Sequence, residues 1–254
     1  MKFIKAKKRL GQHFLNDKEI AKKIVESLKA KNISKVLEIG AGTGVLTAFL
    51  IKNMNYETTV IELDEEAVSY LYKAFPQINN RILSGNFLRI DLKKIFSEKF
   101  AIIGNFPYNI SSQILFKVLE NKNQVVELVG MFQKEVAERI SAKPGKKVYG
   151  ILSVFLKAFY DVEYLFTVDA DVFIPPPKVK SAVVRITRNN VENLECDEKL
   201  FFKVVKTAFN QRRKMLRNSL KIFLKDKDIS NKIFLKRPEQ LSVEDFVFLT
   251  KFIQ

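Results

Sequence analysis

Cysteine and histidine are almost missing from this chain of 254 residues, which has one of each, Cys196 and His13. A single cysteine excludes an internal disulfide framework and a multi-cysteine metal site. A single histidine excludes a cluster of imidazole ligands and leaves a Ser-His-Asp triad only that residue to use. No metal site is expected. Long apolar runs are missing too: none approaches the roughly 18 residues of a membrane span. No membrane partner is expected. The opening stretch MKFIKAKKRL has charge but no apolar segment of the kind a secretory signal needs. These shortages together point to a reducing, cytoplasmic setting. Acids are also scarce, with 28 Asp and Glu against 44 Lys and Arg, for a net charge of +16. So basic a chain is expected to meet a polyanion, nucleic acid before an anionic membrane.

The apolar fraction of 47% is enough for a sizeable core. The length suits one substantial domain and a small one. Residues 1–9 carry Lys2, Lys5, Lys7, Lys8 and Arg9 without an acid, and read as a basic arm. Residues 17–31 read as an amphipathic helix with Asp17 as its N-cap. Short apolar strands then alternate with helices: KVLEI (35–39), TTVIEL (58–63), RILS (81–84), FAIIGN (100–105) and VVELVGMF (125–132). Such alternation predicts a mostly parallel sheet with helices on both faces. DVEYLFTV (161–168) and SAVVRIT (181–187) lack an intervening helix, which predicts an antiparallel strand at one edge. The polar stretch 188–196 reads as a linker. Helical segments are expected over about 197–209, 212–224, 230–235 and 242–253. The domains are therefore expected at 1–190 and 191–254. Within 197–225 nine Lys/Arg stand against two acids.

EIGAGTG (38–44) follows the first strand and opens a helix. Glycines there allow close approach of a ligand to the backbone. The spacing Gly40-x-Gly42-x-Gly44 is not the G-x-G-x-x-G that cradles a pyrophosphate, which disfavours a dehydrogenase. Glu62 ends the second strand, where a carboxylate can accept ribose hydroxyls. Asn86, in SGNFLRID, ends the third strand and is placed to read the edge of an adenine. The combination fits a nucleoside without diphosphate, such as S-adenosylmethionine.

GNFPYNIS (104–111) ends the fourth strand, on the side of the sheet where open α/β folds bind ligands. Pro107 fixes the backbone, Asn105 adds an acceptor, and Tyr108 offers a flat face. Acceptors beside a ring suit the holding of an exocyclic amine on a planar base. An adenine N6 lone pair is delocalised and weakly nucleophilic; acceptors on its hydrogens restore some of that reactivity. No strong base is required, because the nitrogen becomes acidic as it gains a methyl group. Catalysis would rest on positioning and electrostatics. The target base would have to leave its stack to reach the pocket.

KRLGQHFLND (8–17), EIGAGTGVLT (38–47), VIELD (60–64), GNFPYNIS (104–111), VFIPPPKVKSAVVRI (172–186), FNQRRKMLRNSL (209–220) and RPEQLSVEDF (237–246) resemble, in order, the small-subunit ribosomal RNA adenine N6,N6-dimethyltransferase family. The likeness covers nearly the whole chain. The glycine motif is shared with many methyltransferases; the PPPKV and QRRK-x-LRNSL blocks are far more specific. The resemblance implies a Rossmann-like methyltransferase domain and a small all-α domain. It implies S-adenosylmethionine as cofactor, with His13, Leu15, Gly40, Gly42, Glu62, Asn86 and Asn105 around it. It implies that Asn105 serves both the cofactor edge and the target amine, that Phe106 and Pro107 present backbone, and that Tyr108 stacks on the base. Phe173 is expected over the pocket beside Tyr108. The implied substrate is a pair of adjacent adenosines in the hairpin near the 3′ end of small-subunit rRNA, each dimethylated, within an assembling 30S particle. A monomer is expected. Lys7, Lys8, Arg9, Arg212, Arg213, Lys214, Arg217 and Lys221 are expected to touch phosphate. The sequence departs from the family at three positions, with His13 for the usual Asn, Asn86 for Asp and Phe106 for Leu. Two other readings stay open: a relative acting on large-subunit rRNA, and an RNA-binding assembly factor whose methyl transfer is dispensable.

Overall fold

The computed structural model describes residues 4–254, so Lys2 of the basic arm lies outside the described residues. In chain order the elements are β1 (Phe14–Leu15), α1 (Lys18–Glu26), β2 (Lys35–Ile39), α2 (Thr47–Leu50), β3 (Glu57–Glu62), α3 (Glu65–Ala74), β4 (Ile82–Ser84), β5 (Phe100–Asn105), α4 (Ser111–Glu120) and β6 (Val125–Gln133). There follow α5 (Lys134–Ser141), α6 (Ile151–Phe159), β7 (Tyr160–Val168), β8 (Phe173–Ile174), β9 (Ser181–Arg188), α7 (Glu198–Asn210), α8 (Leu216–Ser219) and α9 (Val243–Ile253).

Packing divides the chain into two units. The first comprises residues up to Ala137 together with Glu163–Arg188; the second comprises Glu138–Val162 with Asn189–Gln254. The first unit thus resumes at Glu163 and ends at Arg188, while residues 138–162 fall with the second. Residues 138–162 join the helical unit because their apolar side chains pack there. Phe155 meets the edge of Phe202 with ring centres 4.5 Å apart.

The large sheet runs β4-β3-β2-β5-β6-β9-β7. β2 is parallel to both β3 and β5, β3 to β4, and β5 to β6. Strands covered on both faces read as unbroken apolar runs. Val36, Leu37 and Ile102 are fully buried accordingly. β9 is the antiparallel strand, against β6. It lies one place in from the edge, which β7 occupies. Successive strands leave β2 in one direction through β3 and β4, and the chain then returns to place β5 on the other side of β2. That reversal opens a crevice beyond the ends of β2 and β5, the usual ligand position in such sheets.

Two expected helices are shorter than their apolar spacing suggests. Asp17 caps α1 by accepting from the Ile20 N–H, as expected. The helix nevertheless stops at Glu26. Lys29 and Ala30 give their N–H groups to the buried Glu127 carboxylate at 2.9 and 2.8 Å, and Ala30 and Asn32 take positive φ. Those two bonds and the positive φ angles replace another helical turn. The basic run Gln211–Lys214 forms turns, not a helix. Met215 is extended, and the Leu216 N–H donates to the Lys236 carbonyl at 2.9 Å. The leucines at 216, 220 and 224 are buried as their spacing predicts, but only α8 and a short 3-10 turn carry them.

Candidate active site

The crevice beyond β2 and β5 is closed on one side by the N-terminal strap. Leu10 to Phe14, Gly40, Gly42, Glu62, Asn86 and Asn105 to Ile110 line it. Of the predicted residues, His13, Gly40, Gly42, Glu62, Asn86, Asn105, Phe106, Pro107 and Tyr108 are brought together there.

The glycine turn is held in a conformation that L side chains rarely adopt: Gly40, Gly42 and Gly44 have φ of 69°, 55° and 75°. A Cβ on Gly42 would also sit 2.8 Å from the Phe14 ring. Beneath the turn, Glu62 accepts three backbone N–H bonds. Gly42 donates to Oε2 at 2.9 Å; Leu63 and Asp64 both donate to Oε1 at 2.8 Å. A carboxylate has about four acceptor positions, so one on Oε2 remains for a hydroxyl. Glu38, on the same face of β2, is buried and accepts from the Thr47 hydroxyl at 2.6 Å. Burial pushes its carboxyl up to about 8, opposed by the Thr47 bond and aided by the nearby charge of Glu62. Asn86 uses its Oδ1 to accept from the Leu88 N–H at 2.9 Å, which leaves its amide nitrogen as the group to offer a ligand.

Asn105 is oriented without ambiguity. Its Nδ2 donates to the His13 carbonyl at 2.9 Å, and a carbonyl can only accept. Oδ1 is therefore left as a free acceptor. His13 is held in turn: Nδ1 lies 2.8 Å from the Pro175 carbonyl and so must carry the proton of that bond. The His13 ring stacks on Tyr108 with centres 5.5 Å apart. The Tyr108 hydroxyl meets the Ser181 hydroxyl at 2.5 Å, and burial pushes its phenol up, so it stays neutral. Phe106 is buried below this group, its ring seated against Gly104 and Gly130. A Cβ there would fall 2.7 and 2.1 Å from that ring. The Phe106 ring thus needs both glycines.

Several expectations are corrected. Leu15 and Phe173 do not face the crevice. They pair with each other across β1 and β8 and are 3% and 2% exposed, within the apolar core. The two-residue alternation of a strand turns Phe173 inward and exposes Ile174 instead. A stacking role for Phe173 is therefore not supported. Lys7 is not a free phosphate contact. Its ammonium is 2.5 Å from Asp64 and 3.2 Å from Glu66, and its bond to Asp64 raises its pKa. Burial alone would raise Asp64, but the bonds from Lys7, Gln12 and the Glu66 N–H outweigh it and hold that carboxyl below its usual range. Lys8 and Arg9 are exposed. In the second unit, Lys214, Arg217 and Lys221 line one open groove, joined by Lys225, which sequence reasoning left out. Arg212 faces elsewhere, toward Lys147 and Glu239.

Other participants were missed. Gly11, with φ of 65°, lets the strap pass Asn109, whose Oδ1 would lie 2.8 Å from a Cβ. Gln12 bridges the Lys7 N–H and the Asp64 carboxylate at 2.8 and 3.2 Å. The glycine at 11 was the available signal; the long-range bonds had none.

Among the described residues no lysine or arginine lines this crevice, and one carboxylate does. That donor set suits a cationic nucleoside and would repel a diphosphate. A glycine turn in positive φ, a buried carboxylate with an acceptor position to spare and an N-F-P-Y turn at adjoining strand ends define a class I methyltransferase that uses S-adenosylmethionine. The sequence pattern of the ribosomal RNA adenine dimethylase family matches residues 3–253, and the chain belongs to that family. It is 58% identical over 255 residues to the ribosomal RNA small subunit methyltransferase A of Cytophaga hutchinsonii, covering 100% of this chain and 99% of that one. It is 59% identical over 252 residues to the protein of the same name from Parabacteroides distasonis, covering 98% and 94%. A solved dimethyladenosine transferase from Plasmodium falciparum superposes with a TM-score of 0.78 at 26% identity, over 93% of this chain and 96% of that one. The 23S rRNA methyltransferase ErmE shares the fold, with a TM-score of 0.71 at 24% identity over 94% and 99%.

Proposed function

We propose that this enzyme transfers methyl groups to N6 of two adjacent adenosines in the 3′-terminal hairpin of small-subunit rRNA, on an assembling 30S particle. The observation that carries the reading is the fixed amide of Asn105. With Nδ2 tied to the strap, Oδ1 can accept one N–H of the target amine. Pro107 has no N–H, so the turn presents carbonyls there, and the neutral Tyr108 ring supports the base. The bound cofactor supplies a methyl group on a positively charged sulfur. Two acceptors on the amine hydrogens localise the N6 lone pair toward that methyl. The proton then leaves a nitrogen made acidic by its new substituent, so no side-chain base is needed. Glu62 holds the ribose, Asn86 faces the adenine, and Gly40 and Gly42 let the methionine portion approach the backbone.

In this reading the enzyme works as a cytoplasmic monomer; among the described residues no helix is long and apolar enough to cross a membrane. Names of the relatives favour the small subunit; the shared fold with ErmE keeps large-subunit RNA as the second reading. The test is transfer of labelled methyl to small subunits that lack the dimethyladenosines and, in parallel, to naked large-subunit rRNA. Dimethyladenosine located in the 3′-terminal hairpin is expected. Label in the large-subunit RNA alone would overturn the substrate, and absence of label on both would overturn the activity.

A further inference from the structure

The second unit holds a basic element outside the groove described above. Residues 143–148, KPGKKV, form an exposed turn between the buried Ala142 and Tyr149. Lys143, Lys146 and Lys147 have no side-chain hydrogen bond or ion pair among the described residues, and there is no acid in the turn. Three unpaired ammonium groups within five residues repel one another. A free loop would splay them apart; this one is braced. Gly145 takes φ of 87° with open space around it, so the glycine serves the backbone shape and not the packing. Its N–H donates to the Glu239 carbonyl at 2.7 Å, and the Tyr149 N–H closes the turn on the Lys146 carbonyl at 3.0 Å. The Arg212 guanidinium supplies the outer brace. Nη2 donates to the Lys147 carbonyl at 2.5 Å, while Nε lies 3.8 Å from the Glu239 carboxylate.

The geometry points to two linked assignments. The turn 143–147 is a phosphate-contacting surface for the RNA, and Arg212 acts as its brace, not as a phosphate contact of its own. A preformed row of cations is what a nucleic-acid backbone selects, because each phosphate neutralised releases condensed counterions. The identity of the RNA rests on the function proposed above; the chemistry of the surface does not.

The experiment is RNA affinity against KCl concentration, measured with the full chain on a small-subunit 3′-terminal fragment and on an unrelated duplex. Each lost phosphate contact lowers the slope of log affinity against log salt by roughly 0.7 to 0.9. Lys143→Ala/Lys146→Ala/Lys147→Ala is expected to lower it by about 2 on both RNAs. Arg212→Lys keeps the charge but cannot span both partners. It is expected to lower the slope by more than 1, and by nothing further when added to the triple variant. An unchanged slope in the triple variant overturns the surface. An unchanged slope in Arg212→Lys, or an effect additive to the triple, overturns the brace. Cofactor affinity, unchanged in every variant, reports that the chain is folded. If the wild type methylates neither rRNA while the triple variant still loses slope, the proposed function falls and the surface stands.

Discussion

Glu62→Gln is a nearly isosteric change whose cost can be worked from three bonds. Oε1 accepts from Leu63 and Asp64, and Oε2 from Gly42, all within 2.9 Å. A glutamine will keep its oxygen where two donors converge. Its NH2 then faces the Gly42 N–H, donor against donor, in a buried site. Leaving that N–H unsatisfied costs about 1–3 kcal/mol. The two remaining bonds change from charge-assisted to neutral, losing about 1 kcal/mol each. The net destabilisation expected is roughly 3–5 kcal/mol, read as a lower midpoint in equilibrium urea unfolding. The cofactor loses an anionic acceptor for its ribose, so calorimetric titration with S-adenosylhomocysteine should show about 10- to 100-fold weaker binding. Wild-type stability together with wild-type affinity in Glu62→Gln would refute both the three-bond geometry and the ribose assignment.

Asn105→Ala removes the free Oδ1 and should lower methyl transfer by about 10²-fold or more, as loss of a preorganised donor or acceptor does. RNA affinity should stay within about twofold, and lost binding would make the residue structural. Gly130→Ala drives a Cβ to 2.1 Å from a fully buried Phe106 ring; overpacking of this kind costs about 1–3 kcal/mol. Turnover should fall with it, and Phe106→Leu in the same chain should restore both; wild-type stability in Gly130→Ala would refute the packing. Glu38 titrates near 8 when folded, above its ordinary 4.5. The folded chain therefore binds the extra proton between those values, and its stability falls as pH rises through that window. Glu38→Gln should gain on the wild type by a few kcal/mol between pH 5 and pH 8 in urea unfolding; a gap that does not widen with pH would argue against a protonated Glu38.

The strand order's raw material was legible along the chain. β2, β3, β5 and β6 are short apolar runs bounded by turn residues, and period and length reveal such strands whatever they pack against. The site chemistry was legible too where it is local. Gly40-x-Gly42, Glu62 and Asn105-Phe106-Pro107-Tyr108 each stand at or just past the end of a strand, so position along the chain gave position in the crevice. Contacts made across the fold were not. Phe173 and Ile174 are adjacent and both apolar, and only the pairing of β8 with β1 decided which one is buried. Lys7 looked like one more cation of a basic arm until Asp64, 57 residues away, claimed it. The basic run at 211–214 left its helix because Leu216 found a backbone partner at Lys236. Residues 138–162 carried no mark of the unit they join. Local propensity and spacing are written in neighbouring residues. Which face of a strand is covered, and which charge is already paired, depends on residues tens of positions away, and the tertiary structure alone settled both.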